Sequence, residues 1–231
     1  MARVGPDPAL AVAGVSGVPG PGSAHDVPSG ATAVVERVVR TAPRLGRVRL
    51  VCVDGPAGSG KTTAAARVEA LLARRGHGVA VVHLDDLYDG WDGLEGTLWP
   101  RLSAQVLEPL RRGRPGRFQR YDWSTGAFAD WVDVPVADVL VVEGCGSARR
   151  EADEVASLRV WVAAPDDLRL ARGLARDGAA ARDHWTAWMA DERAHFARER
   201  TRERADLRID EHGRLVDPPA DARARREPGL A

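Results

Sequence analysis

Lysine is almost absent from this 231-residue chain: a single one, Lys61, stands against thirty-two arginines. The Asn-Lys-x-Asp motif that reads guanine needs a second lysine, so a conventional GTP switch is excluded. Cysteine is nearly as scarce, and Cys52 and Cys145 show neither metal-ligand spacing nor a disulfide framework. Both are expected as reduced, buried thiols. Net charge is missing too, with 33 acidic side chains against 33 basic ones. No global field therefore favours a nucleic acid polymer or an anionic membrane. No apolar run approaches the ~20 residues that span a bilayer. Gly, Pro and Asp after Arg3 also break any signal-peptide core. These absences leave a cytoplasmic protein with a small-molecule partner as the expectation, and self-association open.

What is present centres on that one lysine. It lies in Gly55-Pro56-Ala57-Gly58-Ser59-Gly60-Lys61-Thr62, after an apolar run and before a helical one. The glycines let the backbone curl so that successive amides point inward, and the following helix aims its positive end at bound phosphate. Gly55, Ala57, Gly58, Ser59, Gly60, Lys61, Thr62 and Thr63 are the expected nucleotide cradle. Lys61 would reach the β- and γ-phosphates of ATP, and the Thr62 hydroxyl would hold Mg²⁺.

Residues 1–30 read as a disordered Gly- and Pro-rich leader, 31–214 as one domain, and 215–231 as a disordered tail. Valines at helical spacing predict a helix over 31–41. Strands are expected at 48–53, 79–84, 139–142, 158–163 and 205–209. Helices are expected at 63–75, 98–111, 166–176 and 183–202. The alternation argues for an α/β fold with a five-stranded parallel sheet and helices on both faces. Residues 86–136 form a long insertion with an aromatic segment at 118–131, read as the acceptor side. Trp185, Trp188 and Met189 lie at helical spacing and read as core. The run 198–204 alternates charge and reads as an exposed, ion-paired helix face.

Ligands of open α/β sheets bind beyond the carboxyl ends of strands, which raises the weight of acids there. Asp85 and Asp86 follow the second strand, where a carboxylate can take a proton from an acceptor hydroxyl, join the Mg²⁺ shell or cap the following segment. Asp85 is the expected catalytic group and Asp86 an expected substrate contact. Glu143 ends the apolar run 139–142 in the manner of a Walker B strand, where it would join Thr62 at Mg²⁺.

Together the P-loop, Asp85 with Tyr88, Tyr121-Asp122-Trp123, and Glu143-Gly144 resemble the uridine kinase and phosphoribulokinase group of P-loop kinases. The resemblance spans about residues 48 to 210. It implies a P-loop NTPase fold with a small helical lid, Mg-ATP as donor, and a hydroxyl of a nucleoside-like small molecule as acceptor. It makes Asp85 the catalytic base and Tyr88 an acceptor-site residue, with Tyr121 and Trp123 beside it. Arg176 and Arg182 become lid arginines on the transferring phosphoryl. The pattern departs at Gly126 and Phe128, where nucleoside kinases of the group carry His and Arg. The alternative from another class is a P-loop ATPase serving as a nucleotide-dependent switch or assembly factor.

Overall fold

The computed structural model describes residues 29–216. The expected leader and tail therefore lie outside the described residues over 1–28 and 217–231. In chain order the elements are α1 (Gly30–Arg40), β1 (Arg49–Asp54), α2 (Lys61–Arg74), β2 (Val79–His83) and a 3₁₀ turn (Leu84–Asp86). Next come α3 (Leu98–Leu102), a widened π turn (Ser103–Leu107) and α4 (Glu108–Arg111), which form one continuous helical run. Then follow β3 (Gly116–Asp122), β4 (Ala127–Val134), β5 (Val139–Glu143), β6 (Ala156–Val162) and α5 (Asp166–Asp177). The chain closes with α6 (Arg182–Glu199), α7 (Thr201–Arg204), β7 (Leu207–Ile209) and β8 (Leu215–Val216).

The main sheet has six strands in the order β2-β5-β1-β6-β7-β8. The first five are parallel; β8 runs antiparallel to β7. This corrects the expected five-stranded sheet. Asp210 accepts the amides of His212 and Arg214 at 2.9 and 2.8 Å, turning the chain back so that Leu215 pairs with Ile209. Two residues are too few to show the period of a strand. The aromatic segment within the insertion is the separate hairpin β3–β4. Gly126 in its turn takes φ +67°, and Phe128 packs on Tyr121.

β1 and β5 lie side by side at the centre, and their apolar runs alternate between two packed faces. Val51, Val53, Val139 and Val141 meet Val34, Val35 and Val38 of α1 and Ala65, Val68 and Leu72 of α2. Leu50, Cys52, Leu140 and Val142 meet Leu98, Leu102, Val106, Leu110 and Phe118 on the other side. A fully buried Val or Leu contributes ~1.5–3 kcal/mol, so this two-sided burial fixes which side chains of the strands face each layer. Helix α1 starts where Ser29 caps it, its hydroxyl accepting the Thr32 amide at 3.2 Å. The widened turn falls just before Pro109, which has no amide to give an ordinary helical bond.

The run read as an exposed helix face is corrected as well. Arg200 takes a left-handed conformation at φ 53° and separates α6 from α7. That turn buries Glu199, which accepts the Arg150 amide at 2.9 Å, and buries Thr201. No helix among the described residues is long and apolar enough to cross a membrane. Both cysteines are free and buried.

Candidate active site

A cavity of about 490 Å³ opens at the carboxyl ends of β1, β2, β5 and β7. Its floor is the loop between β1 and α2. Gly60 caps α2 in a left-handed conformation at φ +102°, which leaves the first amides of a 14-residue helix facing the cavity. Gly58 is left-handed too, and a Cβ there would stand 2.8 Å from the Arg169 carbonyl oxygen. Ala57, Gly58, Ser59, Gly60, Lys61, Thr62 and Thr63 all line the cavity; Gly55 lies behind it, its carbonyl accepting the Cys145 thiol at 3.2 Å.

Lys61 is buried, with Nζ 3.0 Å from the Pro56 carbonyl and 3.7 Å from the Cys145 sulfur. Burial works against its charge, but the surrounding Cys145, Glu143, Asp85 and Glu192 outweigh it, and its pKa is raised. Glu143 Oε1 accepts the Thr62 hydroxyl at 3.0 Å and faces His83 Nδ1 at 2.7 Å. Although burial opposes it, the contacts with His83, Lys61 and Thr62 hold the Glu143 carboxyl below its ordinary value. The hydrogen bond to Glu143 raises His83 in turn. One hydroxyl and one carboxylate converging at a helix N-terminus suit Mg²⁺, which prefers oxygen ligands and keeps several of its waters.

Asp85 sits on the 3₁₀ turn after β2 with its carboxylate exposed to the cavity. The protein packed around it, and then the nearby Glu143, push its pKa up; Lys61, Arg176 and His83 act the other way. Trp123 donates its indole N–H to the Asp85 carbonyl at 3.0 Å, fixing the turn that presents the acid. Tyr88 and Trp123 both border the cavity. Tyr88 is otherwise buried, its hydroxyl donating to the Cys145 carbonyl at 2.8 Å, so it offers the cavity its ring. Arg176 also lines it, held bidentately by Asp177 at 2.9 and 3.1 Å.

Besides Gly55, three expected site residues are not brought to the cavity. Asp86 is the next residue of the 3₁₀ turn but does not line the cavity. Tyr121 stands behind Trp123, ring centroids 5.2 Å apart. Arg182 begins α6 on the exposed side of the α5–α6 connection. At the position of the missing His, Gly126 makes the hairpin turn; the missing Arg is replaced by Phe128, under the Arg101 guanidinium at 3.4 Å.

Other residues of the site escaped the sequence reading. Asp54, fully buried, accepts the amides of Gly55, Gly146 and Ala148 at 2.7, 3.0 and 2.8 Å, joining the phosphate loop to the turn after β5. Arg172, which the sequence groups with Arg176 and Arg182 around the lid segment, lines the cavity and donates to the Gly58 carbonyl at 3.0 Å. Trp185, Trp188 and Met189 are buried as expected, yet the first two also border the cavity, beside Trp91. Position at a strand end was the available signal for Asp54. For Trp185 and Trp188, periodicity gives burial but not which neighbour they meet.

No protein-family model matches the chain, and no curated protein matches it. Solved structures do. A possible uridine kinase from Bacillus stearothermophilus aligns with a TM-score of 0.55 and 21% identity, over 78% of this chain and 97% of that one. A protein described as a candidate fructose transport system kinase from Silicibacter sp. gives 0.53 and 22%, over 72% and 94%. D-glycerate 3-kinase from Cryptococcus neoformans gives 0.50 and 15%, over 81% and 95%. At these identities the likeness carries the fold alone, an α/β architecture with a mostly parallel sheet and helices that these kinases share.

Proposed function

We propose that the protein is a cytoplasmic, Mg²⁺- and ATP-dependent kinase that transfers the γ-phosphoryl group to a hydroxyl of a nucleoside-like small molecule. The observation that carries this reading is the placement of Asp85. Its carboxylate is exposed to the same cavity as Lys61 and has no hydrogen-bond partner among the described residues. A hydrolytic switch needs no such acid beside an aromatic wall; a kinase needs it to accept the proton of the attacking hydroxyl.

The cavity extends to both sides of the phosphate loop. On one side stand Asp85, Trp91, Trp123 and Trp188; on the other lie Arg67 and the β7–β8 turn at Asp210 and Gly213. In this reading the acceptor takes the tryptophan side and the nucleoside of ATP the other. Lys61 and the α2 amides hold the phosphates, with Arg172 and Arg176 above them and the α5–α6 connection as lid. Bound Mg²⁺, held by Thr62 and Glu143, would neutralise phosphate charge. The protein's contribution is then to align donor and hydroxyl, exclude water and take up the proton on Asp85.

The test is ATP turnover with Mg²⁺ against nucleosides, vitamins and sugar phosphates, with Lys61→Ala as the blank. ADP release that depends on an acceptor and yields its phosphate ester is the expected result. Turnover indifferent to every acceptor would sink the kinase reading and favour a nucleotide-dependent ATPase.

A further inference from the structure

Glu192 is a charged side chain buried to 1% exposure, and it lies on α6, far in sequence from the phosphate loop. Its Oε2 accepts the Ala57 amide at 2.7 Å and the Trp188 indole N–H at 3.2 Å, with the Cys145 thiol at 3.5 Å. Its Oε1 pairs with Arg169. Arg169, itself buried, donates to the Ala57 carbonyl at 3.0 Å and to Asp166 at 2.7 Å. The two ends of the Ala57 residue are thus held by one ion pair: its N–H by the acid, its C=O by the base. Trp188 meets Tyr88 and Trp91 edge to face, at 5.3 and 5.9 Å between ring centroids.

We infer that Glu192 is a positioning residue that couples the phosphate loop to the tryptophan wall on the opposite side of the ion pair. A single oxygen receives a main-chain N–H of the loop and the N–H of a wall residue. Movement of either donor therefore changes the hydrogen bond available to the other. A buried carboxylate cannot turn to water for a substitute, so the adjustment must pass through its protein partners. Nucleotide seated on the loop would then set the pose of Trp188, and Trp188 would in turn influence nucleotide affinity, since linkage is reciprocal. The inference rests on the reading of the cavity as a nucleotide site.

The experiment is a double-mutant cycle in the Kd for Mg-ADP, by calorimetry, on the full chain with Glu192→Gln, Trp188→Phe and the pair together. Thermal unfolding of each variant is followed in parallel. Phenylalanine keeps a ring at 188 and removes only the N–H and the indole's second ring. The expected result is that each single variant weakens Mg-ADP by about 5-fold or more. The double variant should be no weaker than Glu192→Gln alone, because both changes cut one path. Additive effects, or affinities within two-fold of the parent despite a lower Tm, would make Glu192 a purely structural ion-pair member and overturn the inference. Should Glu192→Gln not fold, Trp188→Phe decides alone: unchanged affinity refutes the coupling. If the parent protein itself fails to bind Mg-ADP, the nucleotide reading falls, an outcome distinct from failure of the coupling.

Discussion

At the scale of single residues the proposed function separates the groups that would hold the nucleotide from the one that would meet the acceptor. Asp85 touches no P-loop group through its carboxylate, so Asp85→Asn should leave Mg-ADP affinity within about two-fold while lowering phosphoryl transfer by about 10²-fold or more. Parallel calorimetry and product assays check this, and loss of both together would mean that Asp85 shapes the loop instead. The pH dependence follows from the same environment. Packing around Asp85 and the charge on Glu143 raise its pKa, and a base works only when deprotonated. The acid limb of kcat/KM should therefore lie above the ordinary aspartate range, with activity rising as pH climbs through it. Lys61, Asp85 and Glu143 were legible in the sequence because each stands in a local pattern: a loop, or the end of an apolar run. Glu192 and Arg169 were not. Among thirty-two arginines and 33 acids, nothing local distinguishes a pair that meets only when α5 and α6 fold over the loop.

Among elements, the phosphate loop and the end of α2 offer a controlled comparison. Gly58 and Gly76 both adopt left-handed backbone, at φ +76° and +82°. A Cβ at 58 would press on the Arg169 backbone at 2.8 Å, whereas at 76 nothing lies within 4 Å. Gly76→Ala should cost ~1 kcal/mol, the conformational strain alone. Gly58→Ala should cost more, about 2–3 kcal/mol, because α5 must also give way. Urea unfolding of the two variants measures the difference, and equal costs would mean that α5 yields without resistance. Legibility at this scale followed burial. β1, β5 and β6 announced themselves as largely apolar runs because both faces are covered. The β3–β4 hairpin is largely exposed and carries charge on both faces, so its period was faint. The break at Arg200 has neither Gly nor Asn to mark it, and only tertiary contacts of Glu199 and Thr201 make it necessary.

For the whole molecule, the important property of the site is how far apart in the chain its parts arise. The cavity draws on the loop after β1, the turn after β2, the ends of β5 and β7, and both α5 and α6. A ligand there bridges elements that no single strand pairing unites, so its binding free energy stabilises the folded chain as a unit. At a concentration of Mg-ADP 100 times its Kd, the native state should gain about 2.7 kcal/mol. For a domain of this size that corresponds to a rise in Tm of roughly 5–10 °C. Lys61→Ala removes the ammonium group proposed to meet the phosphates, and should remove most of the rise with it. Scanning calorimetry of parent and variant, with and without Mg-ADP, checks both halves. A rise that survives in Lys61→Ala would place the nucleotide outside the loop between β1 and α2. That outcome would sever the link between the chain's only lysine and its chemistry.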